Sequence, residues 1–229
     1  MKNLKETTPD ISSFHPPSSP SSYFLSFEGI EGSGKSTQLK SLKVYLESLG
    51  LRVIVLREPG GTTFGEKLRE AILASEEALH PAAEAYLFAS SRAQLLHQVI
   101  LKELSKEKTV VICDRYIDSS IAYQGHARGL GTKTILKIHE LAPLNVLPHQ
   151  TYYLDIDLET SYERQKARGA QKDYFESENK EFYKKLIEGF KEASHLFPNR
   201  IKTIDGRLEE QRVFADIKNY VNKLLDISD

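Results

Sequence analysis

From Tyr23 onward, short apolar runs alternate with amphipathic stretches, and few folds accommodate that rhythm. Tyr23-Phe24-Leu25-Ser26-Phe27 reads as a strand, and so do residues 52–56, 109–113, 151–155 and 200–204. Between the first two, residues 36–49 place Leu39, Leu42, Leu46 and Leu49 on one helical face, and Gly50 marks the stop. Helical patterns also cover about 63–73, 82–104, 116–124 and 132–142. A terminal helix carries the stripe Val213, Ile217, Tyr220 and Leu224. Short buried strands separated by helices predict an α/β domain, a five-stranded parallel sheet with helices on both faces. Ligands of such sheets bind beyond the carboxyl ends of the strands, so the residues that follow strands one, two and three matter most.

Lys plus Arg number 31 against 32 for Asp plus Glu, a formal net charge of −1. A nucleic-acid binder would carry a basic excess, so no nucleic acid is expected as a partner. The single cysteine, Cys113, excludes a disulfide scaffold, and the seven histidines show no metal-ligand spacing. No run approaches 18 consecutive apolar residues, so no membrane span is expected. Residues 1–22 hold four of the nine prolines (Pro9, Pro16, Pro17, Pro20) and six serines. That composition predicts a disordered tail, because it buries too little apolar surface to offset the entropy of ordering. It has neither the apolar core of a secretory signal nor the arginines of a mitochondrial one. The expectation is a soluble, cytoplasmic chain with one folded domain over 23–229.

The first strand runs into Gly29-Ile30-Glu31-Gly32-Ser33-Gly34-Lys35-Ser36, which matches G-x-x-x-x-G-K-[ST]. Glycines let backbone N–H groups wrap phosphate oxygens, Lys35 offers a charge to the β- and γ-phosphates, and the Ser36 hydroxyl suits Mg²⁺. The following helix adds the positive end of its dipole. The alternative is a glycine-rich turn without a ligand, but a strand directly before and a helix directly after argue against it. Strand three ends in Asp114-Arg115. Asp114 sits where a carboxylate would face Mg²⁺, directly or through water, and Arg115 projects into the same crevice. The competing role for Asp114 is a helix cap. Strand two ends in Arg57-Glu58-Pro59-Gly60-Gly61-Thr62, whose two charges could also be a solvated pair. On the long helix, Phe88 and Arg92 share a line with Leu95 and Val99. An arginine on a core-facing stripe needs partners. A base stacked on Phe88 and hydrogen-bonded by Arg92 would supply them, and so would an internal salt bridge or a reach to solvent.

The strings FEGIEGSGKST, REPGGT, YLFASSRAQ, DRYIDSSIAYQG and RQKARG, in this order, resemble the bacterial type of the thymidylate kinase family, over residues 23–226. The resemblance implies a P-loop NTP hydrolase-like fold and transfer of the ATP γ-phosphoryl to dTMP with Mg²⁺. The implied products are dTDP and ADP, in the service of dTTP synthesis, and the implied assembly is a homodimer. It implies that Gly29, Ile30, Glu31, Gly32, Ser33, Gly34, Lys35, Ser36 and Thr37 hold ATP, and that Ser36 and Asp114 serve the metal. Glu58 and Pro59 join the dTMP site, where Phe88 stacks on thymine and Arg92 hydrogen-bonds it. Arg115 holds the acceptor phosphate, with Glu31 near it or the sugar. Ser119, Tyr123 and Gln124 line the sugar and base, and Tyr123 bars a 2′-hydroxyl. A lid at about 163–176 is implied, with Arg164 and Arg168 joining Lys35 and Arg115 as catalytic groups. The family's lid continues Asp-Arg-x-Glu, whereas this chain reads Asp173-Tyr174-Phe175-Glu176 and offers only Lys172 nearby.

Another nucleoside monophosphate kinase is the nearest alternative, since cradle and lid are shared. A P-loop switch would need a guanine-reading NKxD, and Asn222-Lys223-Leu224-Leu225-Asp226 has one residue too many. Gly125, Gly129 and Gly131 do not follow a strand, so they form no dinucleotide fingerprint.

Overall fold

Five strands, β1 (Tyr23–Glu28), β2 (Arg52–Arg57), β3 (Thr109–Asp114), β4 (Gln150–Asp155) and β5 (Ile201–Asp205), form one parallel sheet in the order β2-β3-β1-β4-β5. They belong to a computed structural model that describes residues 9–18, 21–75, 77–168 and 179–227. The register pairs Phe24 with Val111 and Leu25 with Ile112, so the apolar runs of β1 and β3 lie side by side at the centre. Both faces of those strands are covered, which is why they are buried along almost their whole length and predominantly apolar. The edge strand β2 is only partly buried, although Val53-Ile54-Val55-Leu56 is an equally unbroken apolar run.

One face of the sheet packs on α1 (Lys35–Ser48) and α9 (Glu210–Leu225), where Leu25, Phe27, Val110 and Ile112 meet Leu39, Leu42, Leu46, Val213, Ile217 and Val221. Tyr220 and Leu224 pack at the margin of that cluster, while Leu49 follows the end of α1 and is exposed. The expected four-leucine stripe therefore stops at Leu46. The opposite face is covered by α3 (Pro81–Leu95), against which α2 (Thr63–Leu73) packs, and by α4 (Leu101–Leu104), α5 (Ile117–Ser120), α6 (Thr132–His139) and α8 (Lys180–Leu196). A π-helical turn, Leu96–Ile100, joins α3 to α4, so residues 81–104 form one rod. A second π-helical segment, Ile121–Ala127, prolongs α5 and packs closely on α8. There a Cβ on Gly189 would lie 2.7 Å from the Cα of Ala122, so only glycine permits this approach. The helical pattern of 132–142 stops early, at His139. Ala142 precedes Pro143, and a residue before proline is biased away from helical geometry, so the helix has no continuation there.

Two further features depart from the sequence expectation. The helices α7 (Leu158–Arg168) and α8 are not among those read from the sequence. Even so, Phe182, Tyr183, Leu186, Phe190 and Ala193 form a helical stripe, and Asn179 Oδ1 accepts from Phe182 N at 3.0 Å as a cap. Part of the tail expected to be disordered is seated on the domain. Phe14 is buried in the core cluster, and His15 bridges Val146 in parallel, its carbonyl accepting from Leu147 N at 2.9 Å. One aromatic anchor and a few backbone pairs offset the ordering entropy that the proline- and serine-rich composition suggested would prevail. The expected lid is described only as far as Arg168, so Lys172 and residues 173–176 lie outside the described residues.

Candidate active site

β1 delivers the chain into a turn through Gly29, Gly32 and Gly34, all with positive φ, and α1 begins at Lys35. A Cβ on Gly29 would sit 2.7 Å from the Leu154 carbonyl oxygen, so this turn closes against β4 only with glycine. Lys35 Nζ donates to the carbonyls of Gly29 (2.8 Å) and Ile30 (3.2 Å). Burial, and then the neighbouring Arg115, pull its pKa down to about 8, against the pull of Asp114, Glu31 and Glu28. An anion beside this buried ammonium, which two carbonyls hold in place, would raise its pKa again by favouring the charged form.

Arg115, directly after β3, adopts φ 70°, a left-handed conformation unusual for a side chain of its size. Its guanidinium donates to Gly29 O (3.1 Å) and Ser119 Oγ (3.2 Å), pairs with Glu31, and lies 5.1 Å from the centre of the Tyr123 ring. The Tyr123 hydroxyl donates to Glu31 Oε1 at 3.1 Å. Beneath this group, Glu28 accepts from Tyr116 N (2.7 Å), Ser119 N (3.3 Å) and Ser119 Oγ (2.6 Å), so the last residue of β1 fastens the turn that carries Arg115. Burial, reinforced by the Asp118 carboxylate, pushes Glu28 up to about 8.

Two cavities open on these residues. The larger, about 610 Å³, is lined by Glu31, Gly32, Ser33, Gly34, Lys35, Ser36 and Thr37, with Asp114, Arg115 and Arg164. Gly29 and Ile30 lie behind the wall, and only their carbonyls take part. Arg164 Nη1 donates to Gly32 O (3.2 Å) and Gly206 O (2.9 Å), so it braces the cradle against the loop after β5. Arg168 closes α7, and its side chain lies outside the described residues. Asp114 Oδ1 is buried with no partner among the described residues, and the Ser36 hydroxyl shares its cavity. That orphaned oxygen fits a cation. No group of three or more His, Cys, Asp or Glu suited to a metal occurs among the described residues, so Mg²⁺ here would take most of its ligands from phosphate and water.

The second cavity, narrower at about 70 Å³, is lined by Glu31, Glu58, Pro59, Phe88, Arg115, Ser119, Tyr123 and Gln124, together with Arg69 and Leu73. Apart from Arg69 and Leu73, these are the expected acceptor residues, and one expected residue is missing. Arg92 does not line it: Nε (2.7 Å) and Nη2 (2.6 Å) meet Glu58 Oε2, and Nη1 meets Ser120 Oγ (3.0 Å) and His139 Nε2 (2.6 Å). The internal ion pair, left open by the sequence, is therefore the arrangement found. His139 Nδ1 faces Ile135 O at 2.7 Å, which assigns the proton to Nδ1 and leaves Nε2 to accept from Arg92. Burial and the adjacent Arg92 lower the His139 pKa to about 3, keeping it neutral. Burial raises Glu58, with Arg92 opposing. Arg57, the other charge of that turn, pairs with Glu66 at 2.7 Å on the surface.

Sequence reasoning misses Glu28, Arg69, Glu84 and the loop of Gly206 and Leu208, which forms the far wall of the larger cavity. Only the last carries a usable signal, its place after the carboxyl end of a parallel strand.

The model of the thymidylate kinase family matches residues 27–217. A curated relative named thymidylate kinase, from Thermoanaerobacter sp. (strain X514), is 44% identical over 202 residues, covering 88% of this chain and 98% of the relative. Another, from Kosmotoga olearia, is 39% identical over 85% of this chain and 92% of its own length. The crystal structure of thymidylate kinase from Ehrlichia chaffeensis superposes with a TM-score of 0.71 at 30% identity, covering 88% of this chain and 99% of that one. The family match over residues 27–217 takes in every residue that lines the two cavities, and with these relatives it shows that the chain belongs to the thymidylate kinase family.

Proposed function

We propose that the protein transfers the γ-phosphoryl group of ATP to dTMP, giving dTDP and ADP. The observation that carries this reading is that the two cavities share Glu31, Glu58, Arg69 and Arg115, so a donor in one and an acceptor in the other would meet at Arg115. The acceptor phosphate, with a second pKa near ~6, is mostly dianionic at neutral pH and needs no general base. The barrier is the approach of two anions in line, which calls for positioning and charge neutralisation. Lys35 is placed for the donor phosphates and Arg115 for the acceptor phosphate. Bound Mg²⁺, held by Ser36 and Asp114, would supply positive charge across the donor phosphates. Glu31 orients Arg115, and Phe88 offers an aromatic face to the base. Arg92 acts from below, holding the Glu58 carboxylate in the cavity wall.

The acceptor panel dTMP, dUMP, UMP and dCMP tests the assignment in steady-state assays with ATP and Mg²⁺. We expect dTMP to have the highest kcat/KM, and preference for any other acceptor would sink the reading in favour of a different monophosphate kinase. The switch alternative gains nothing from the geometry, since Asn222 is turned to Tyr45, accepting its hydroxyl at 2.7 Å, on a terminal helix.

We further propose a cytoplasmic homodimer. Among the described residues no helix is long and apolar enough to cross a membrane. Between α3 and α6 a shallow groove is lined by Ala89, Ala93, Ile138 and Leu144, with Tyr86 60% exposed beside it, a surface suited to a second copy. Sedimentation at micromolar concentration should give twice the chain mass of 26.0 kDa, and a monomer would remove the dimer from the account.

A further inference from the structure

The acceptor cavity contains a carboxamide whose orientation is set from behind. Gln124 is 1% exposed and lines the cavity beside Phe88. Its Nε2 donates to Glu84 Oε1 at 2.7 Å, and the other oxygen of Glu84 accepts from Arg128 Nε at 3.2 Å. Glu84 itself is fully buried, and the Arg128 guanidinium is fixed over the Phe182 ring at 4.7 Å. An ionised carboxylate only accepts, so the amide must turn its nitrogen toward Glu84 and its oxygen away. That oxygen, Gln124 Oε1, is buried and has no partner among the described residues. A buried acceptor without a donor is costly, and a ligand that brings a donor removes the cost.

We infer that Glu84, braced by Arg128, sets the base selectivity of the acceptor site by locking Gln124 so that its Oε1 demands a hydrogen-bond donor from the base. This rests on the proposed mononucleotide acceptor. Thymine and uracil present N3–H, a donor. Neutral cytosine presents an unprotonated N3, an acceptor, which would face Oε1 lone pair to lone pair. Turning the amide to suit cytosine would set Oε1 against the Glu84 carboxylate, so both orientations are penalised. Glu84 touches neither base nor phosphate in this scheme. It is a positioning residue, and its effect falls on acceptor binding rather than on the transfer step.

The test is the ratio of kcat/KM for dTMP to that for dCMP, with dUMP as the imide control. Sites that pair a substrate N–H commonly reject analogues lacking it by ~10⁴–10⁵. We expect Glu84→Gln, which lets the amide turn, to lower the dTMP-to-dCMP ratio at least ~10-fold, chiefly through KM, while dUMP follows dTMP. Gln124→Met, of similar volume and without an acceptor, should move the ratio the same way. A folded Glu84→Gln protein that loses activity on all three acceptors by one factor, ratio unchanged, overturns the inference and leaves Glu84 a structural role. Should that variant not fold, the wild-type protein decides by NMR: the Gln124 carboxamide protons, identified by their loss in Gln124→Met, should be shifted downfield and slow to exchange. Ordinary shifts and exchange would overturn the lock. A wild-type protein inactive on dTMP would instead defeat the proposed function, which the same panel reads separately.

Discussion

Replacing Arg115 by alanine is expected to lower kcat/KM for dTMP by ~10²–10³-fold, the usual cost of removing a positioned group that stabilises charge in a transition state. Arg115 contacts the cradle at Gly29, the acceptor wall at Ser119 and the Glu31 carboxylate together. Its removal would leave Glu31 facing the acceptor phosphate without its guanidinium, so a cation would be exchanged for net repulsion. Loss should therefore appear in both KM for dTMP and kcat, while KM for ATP changes less. Arg115→Lys should recover only part of the loss, because an ammonium cannot span Gly29 O, Ser119 Oγ and a phosphate as a planar fork does. Steady-state kinetics with each substrate varied checks this. A loss below about five-fold would remove Arg115 from the acceptor phosphate.

Arg168→Ala should cost more in turnover and less in binding. An arginine that closes over a transferring phosphoryl group is worth ~10³–10⁵ in kcat. Within the cradle, position 33 is serine, so the loop has no arginine of its own. Arg164, the other candidate, is committed to the carbonyls of Gly32 and Gly206 and braces the loop. Arg168 is the last residue of α7, one helical turn after Arg164. The expected signature is a steep fall in kcat with KM for dTMP nearly unchanged. A change confined to KM would assign Arg168 to substrate binding.

The parts of this protein legible in its sequence are those specified by local pattern. A buried parallel strand is predominantly apolar, and a phosphate-wrapping turn must place glycine, lysine and serine at fixed intervals. Both signals sit within single short segments, and Gly29 to Thr37 can be placed after β1 on them alone. Arg92 marks the boundary. Its position on an apolar stripe requires a partner, but Glu58 lies 34 residues away and His139 47, so choosing between base and ion pair needs tertiary structure. Glu28 and Glu84 escape notice for the same reason, since a buried carboxylate reads like a surface one until its donors are known. The N-terminal segment misleads in the opposite direction: composition averages over 22 residues, whereas one phenylalanine, Phe14, suffices to seat part of it.

In the proposed reaction, two joined cavities bring ATP and dTMP together at Arg115. The most direct measurement incubates the full chain with ATP, Mg²⁺ and dTMP and quantifies nucleotides by chromatography. One dTDP should form for each ADP, with little ADP when dTMP is omitted. ADP accumulating without dTDP, or no consumption of ATP with dTMP present, would contradict the proposed reaction.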